Sequence, residues 1–149
     1  MNKKVLLKYL ALLGIGGSSY VCIELLWRGY SDISMFLCGG ICFIIYGILN
    51  EFENWEMPLL CQLCVGATCV TIVEFIFGLI LNVWLKLNIW DYSGKPYNLL
   101  GQICLVMWFA WLGLGIIAIP LDDWIRHIFF VEERPHYTLL GYKKCNCKK

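Results

Sequence analysis

Charge is scarce in this chain. Asp, Glu, Lys and Arg together make up 15% of its 149 residues, and there are only 2 histidines and 4 prolines. Neither His127 nor His136 has partners at metal-ligand spacing, which argues against a zinc-type centre. No stretch interleaves basic residues with aromatics, which removes a nucleic-acid partner. No Gly-x-x-x-x-Gly-Lys followed by Ser or Thr occurs, so the chain brings no P-loop to ATP. No cofactor is expected.

Hydrophobicity fills the space that charge leaves. Apolar residues reach 60% and mean hydropathy is +0.68, against about 45–50% apolar in soluble domains, which points to a polytopic membrane protein embedded in a lipid bilayer. The net charge of +1 says little, because its sign matters only through where the charges sit. Nine cysteines could suggest a disulfide scaffold, yet most lie within apolar runs, where free Cys behaves as a small hydrophobe. Cys61 and Cys64 form a Cys-x-x-Cys pair, read here as helical and reduced. Cys145 and Cys147 are read as part of a plain tail.

Four apolar runs predict an all-α bundle of transmembrane helices over residues 5–27, 34–50, 57–85 and 99–121, with 122–149 forming an interfacial amphipathic helix and a basic tail. The second run is short for a span. The opening apolar stretch imitates a signal peptide, but Lys8 interrupts it and hydrophobicity continues to Trp27, so cleavage is not expected. Lysines cluster at the start of the first run, at Lys3, Lys4 and Lys8. Basic residues return after the fourth, from Arg126 to Lys149, whereas the loops after the first and third runs hold only Arg28, Lys86 and Lys95. The positive-inside rule therefore places both termini in the cytoplasm. The acidic loop of residues 50–56 would then also be inside, which that rule tolerates because it counts Lys and Arg.

A two-helix internal repeat is suggested by self-alignment. Tyr30 and Ser31 fall on Tyr92 and Ser93, Leu37 on Leu99 and Gly39 on Gly101; in a second register Gly16 falls on Gly66 and Glu24 on Glu74. Halves of two helices each would be related by an axis along the membrane normal. Small residues crowd the same helices, at Gly14, Gly16, Gly17, Gly39, Gly40, Gly66, Gly113 and Gly115, and would let backbones approach closely in lipid.

Glu74 is the residue around which a function can be built. A carboxylate inside an apolar span costs about 2.5–3.5 kcal/mol and marks a pathway or site by default. Its helical neighbours at three and four residues are Val70, Thr71, Phe77 and Gly78, so its partner must come from another helix. At about 1.5 Å per residue, Glu74 lies about 12 Å below Asn82 at the outer end of its helix. Glu24 lies near the outer end of the first helix, with Arg28 four residues later in the favourable order for an ion pair. The outer loop carries Asp91 and Tyr92 between Trp90 and a Gly-Lys-Pro turn, and is expected to fold into the mouth of the bundle. Glu24, Arg28, Glu74, Asn82, Asp91, Tyr92 and Gln102 are thus expected to line one outward-facing polar pocket, with Arg28 serving both glutamates.

The run from Tyr20 to Gly29, Ser34 to Phe36, Gly39 and Gly40, Glu74 and Phe75 with Gly78 and Asn82, Trp90 to Ser93, Asn98, Gly101 and Gln102 together resemble a bacterial membrane family, the ABC-transporter type IV family of CmpB-like permeases. The Trp-Asp-Tyr-Ser loop is also similar to that of a vertebrate family of small transmembrane proteins. The bacterial resemblance implies a transport-related, multi-pass protein of the cytoplasmic (inner) membrane. On that reading the pocket takes a small solute or ion, and so short a chain completes a pathway as a homo-oligomer or with a partner membrane subunit. A non-transporting scaffold, its polar groups only fixing helix register at about 0.6–2 kcal/mol per contact, is the alternative. A lipid-acting enzyme using the carboxylates as acid and base is a third reading, weakened by the lack of His, Ser or metal ligands near them.

Overall fold

The computed structural model describes residues 3–49, 55–132, 134, 135, 137–139, 143 and 144. Residues 50–54 of the acidic loop, His136, Cys145, Cys147 and the last two lysines lie outside these. Four helices carry the fold: α1 (Lys3–Arg28), α2 (Ile33–Ile48), α3 (Leu59–Gly78) and α4 (Leu105–Phe130). α3 continues as a wider π-helical turn over Leu79–Trp84. Two small antiparallel ladders close the connections: β1 (Trp55–Glu56) with β4 (Lys143–Lys144), and β2 (Asn98–Leu99) with β3 (Ile103–Cys104).

Local chemistry sets the helix ends. α1 stops at Gly29, whose φ of 77° supplies the left-handed residue that closes a helix C-terminus. Asp32 caps α2 by accepting the Ser34 amide at 2.8 Å, as a short acidic side chain does at a helix start. Pro58, without an amide hydrogen, precedes α3, where no intrahelical bond is lost. Among the described residues three stretches, Lys3–Arg28, Leu59–Trp84 and Leu105–Phe130, are long and apolar enough to cross a bilayer. α2 has only 16 residues. A helix of that length reaches about 24 Å, short of the roughly 30 Å of bilayer hydrocarbon.

α2 is the central helix, and it packs against all three others. Its seam with α1 is backbone-close: a Cβ on Gly40 would sit 2.6 Å from the Leu13 carbonyl oxygen, and one on Gly17 would overlap that of Phe36. On its other side Tyr46 is buried and donates its hydroxyl to the Trp111 carbonyl at 2.6 Å, tying α2 to α4. Many large apolar side chains, among them Leu26, Ile72, Ile116 and Ile117, point away from this core and are exposed. That is the surface expected where lipid, not water, is the solvent.

The fourth helix departs from the sequence expectation at both ends. It starts at Leu105 because residues 98–104 are used by the β2–β3 hairpin, and it does not break after Leu121. Instead it runs through Pro120 to Phe130 as one piece. Asp122 and Arg126, expected at an interface, are buried: the Arg126 guanidinium donates to the Asp122 carboxylate one turn away. Pairing inward lets the helix keep going where two aspartates read as a boundary. Nearby, Lys8 bonds Glu132 at 2.7 Å, linking the first turns of α1 to the end of α4.

Candidate functional site

The opposite end of the bundle is capped by the segment between the π-helical turn and α4. Asn82, buried in the π-turn, accepts the Ile89 amide at 2.7 Å and donates to the Trp90 carbonyl at 3.0 Å and to the Gln102 side chain at 2.9 Å. Gln102 donates in turn to the Leu100 carbonyl at 3.0 Å, and its own carbonyl accepts the Trp90 indole at 2.9 Å. Every polar atom of the Asn82 side chain is therefore used to hold the cap. The cap bends sharply, with Lys86, Asn88, Tyr97 and Leu100 at φ between 51° and 55°. Such left-handed non-glycine backbone persists only where surrounding bonds over-determine it.

α1 joins this cap through Arg28. Its guanidinium donates to Glu24 at 2.6 Å, to the Ile89 carbonyl at 2.9 Å and to the Tyr30 carbonyl at 3.2 Å, and it lies over the Tyr30 ring at 4.6 Å. The other Glu24 oxygen accepts the Ser31 hydroxyl at 2.5 Å. Glu24 is thus neutralised and doubly bonded on its own helix end.

Glu74 stands apart from that pair. It is 3% exposed, in the middle of the core, and its two oxygens accept from the Tyr92 hydroxyl at 3.1 Å and the Trp111 indole at 2.8 Å. Both donors are neutral, and among the described residues no basic side chain bonds to it. Tyr92 is lowered onto Glu74 by the cap, where its own amide bonds the Gly101 carbonyl at 2.7 Å. Burial, and behind it the Glu74 charge, push the Tyr92 phenol above its ordinary range, so that it stays a donor. Tyr20 of α1 stacks on Trp111 with ring centroids 5.7 Å apart.

The expected residues therefore separate into three groups. Glu24 and Arg28 form one unit, Asn82 and Gln102 a second, and Glu74 with Tyr92 a third. Arg28 bonds Glu24 and bridges to the cap backbone, and does not reach Glu74. Asp91 joins none of them: it is exposed and accepts from the amide and hydroxyl of Ser93, whose hydroxyl bond in particular holds the Asp91 carboxyl below the usual carboxylate range. Trp111 and Tyr20 belong to the Glu74 group and were not anticipated. Indole and phenol in an apolar run read as packing, and only the need of Glu74 for an outside donor could have pointed to them. Cys61 and Cys64 are free thiols on the first turns of α3.

Between α1 and α4, with α2 as its floor, lies an open groove of about 160 Å³. Among the described residues no charged side chain lines it, and none of the residues expected to form a polar pocket does. Trp111 belongs both to its wall and to the Glu74 site.

Apolar helices of spanning length around a buried carboxylate define a multi-helix integral membrane protein. More narrowly, residues 9–137 match the family described as "Putative ABC-transporter type IV", and the chain belongs to that family. No curated protein and no solved structure matches it.

Proposed function

We propose that this chain is the membrane-embedded subunit of a transport system, with Glu74 as the group that binds a small solute or ion. One observation carries the reading: a carboxylate buried in the bundle has two neutral donors and, among the described residues, no cationic partner. A purely structural acid would be cheaper to keep paired, as Glu24 is, so an uncompensated one is the natural seat for a cation or proton. Family membership supports the transport class. Lacking a P-loop of its own, the chain would draw any ATP-driven step from a partner subunit.

Glu24, Arg28, Asn82 and Gln102 have another part on this reading. They fasten the cap that brings Tyr92 to Glu74. Their complete mutual bonding is also what favours the competing account, a scaffold in which polar groups only fix helix register. The distribution of Lys and Arg supports four spans with both termini cytoplasmic and the cap facing out. Cysteine accessibility at Ser31→Cys and Tyr97→Cys, both reached only from outside, checks that orientation.

Reconstituted proteoliposomes test the function. Protein-dependent uptake of tracer rubidium, sodium and a radiolabelled organic cation, with an entrapped pH dye, should report a flux that Glu74→Gln abolishes while assembly stays normal. A protein that moves none of these, and whose Glu74→Gln variant merely assembles poorly, is a scaffold.

A further inference from the structure

The apolar groove and the buried carboxylate are separated by the thickness of one side chain. Trp111 faces the groove and donates its indole N–H to Glu74, and Tyr20, stacked on it from α1, also lines the groove. Tyr46 and Phe43 add aromatic surface to the floor, and Ala118 leaves room on the α4 side. The rim residues Ile23 and Ile117 are exposed, so the groove opens sideways from the bundle at the depth of the spans. Its occupant would therefore arrive through hydrocarbon.

Resting on the reading of Glu74 as the solute-binding group, we propose that the groove binds a lipophilic organic cation, an aromatic or quaternary onium compound rather than a hydrated metal ion. Three features select that chemistry. An apolar lining rewards bulk and rejects a hydration shell. Aromatic walls attract a diffuse cation through their π-faces. Behind them, the unpaired charge of Glu74 supplies long-range attraction in a medium that screens it weakly. A neutral compound of the same shape would gain only the first.

The probe is tetraphenylphosphonium, with triphenylphosphine oxide as its neutral counterpart, titrated against the full chain in nanodiscs after subtraction of protein-free nanodiscs. The cation should bind saturably and at least tenfold tighter than the neutral compound. Its affinity should fall at least tenfold in Glu74→Gln, and also in Ala118→Phe, which fills the groove and leaves the carboxylate in place. Should Glu74→Gln fail to assemble, Ala118→Phe and the preference for the charged probe decide. No saturable binding, equal affinity for the neutral compound, or unchanged affinity in Ala118→Phe overturns the inference. If the phosphonium does not bind while a Glu74-dependent rubidium, sodium or proton flux persists, the substrate class is wrong and the role of Glu74 stands. If binding is unchanged in a well-assembled Glu74→Gln, both fall.

Discussion

The indole of Trp111 on α4 reaches across to Glu74 on α3 and meets its carboxylate at 2.8 Å. Trp111→Phe keeps most of the buried ring and removes the one donor that oxygen has among the described residues. Leaving a buried acceptor unsatisfied should cost about 1–3 kcal/mol. Thermal unfolding in detergent of Trp111→Phe, Glu74→Leu and the double variant should give a coupling of at least about 1 kcal/mol. Simple additivity would mean that the bond carries no energy.

Asn82 is the fastening point of the cap. Asn82→Asp retains an acceptor for the Ile89 amide and loses both donors, to Trp90 and to Gln102. Two missing bonds at about 0.5–1.5 kcal/mol each should loosen the cap without unfolding the helices. Limited tryptic proteolysis after Lys86 should speed up severalfold, with helical circular dichroism unchanged.

The seam between α1 and α2 makes a contrast of glycines on one helix. Gly14 has open space where a Cβ would go, whereas Gly17 faces the Phe36 backbone. Gly14→Ala should be neutral or stabilising by up to about 1 kcal/mol, through helix propensity alone. Gly17→Ala should force the helices apart and lower the melting temperature by several degrees, as a differential scan of both variants would show.

At the far end of the bundle, Asp122→Asn removes the carboxylate that the buried Arg126 guanidinium bonds. Breaking such a pair typically costs about 3–5 kcal/mol, while replacing both members by apolar residues recovers most of it. Asp122→Asn should therefore unfold more readily than Asp122→Leu combined with Arg126→Met. The reverse order would show that the pair is solvated.

Long apolar runs made the helices legible in the sequence, because no soluble core needs stretches like Leu59–Trp84. Glu24 and Arg28 were legible too, since acid before base at four residues is a local relation. Asp91 misled for the opposite reason. It was expected in the pocket as the acid of an aromatic outer loop, but an Asp two residues before a Ser accepts from that residue's amide and hydroxyl and has no need of the core. The apolar run ends at Leu121 before two aspartates, and the pairing of Asp122 with Arg126 inside the bundle is what carries α4 onward to Phe130. Which donors Glu74 takes depends on how α4 and the cap come together, and nothing within one turn of Glu74 encodes that.

The most direct measurement compares Glu74→Gln with Glu24→Gln in proteoliposomes at matched protein density. Glu74→Gln should assemble with normal helicity and lose the rubidium, sodium, proton or organic-cation flux that the unaltered protein shows. Glu24→Gln, which loosens Arg28 and the cap, should assemble less well and keep part of its flux. A Glu74→Gln protein that moves the same ions at the wild-type rate would contradict the account.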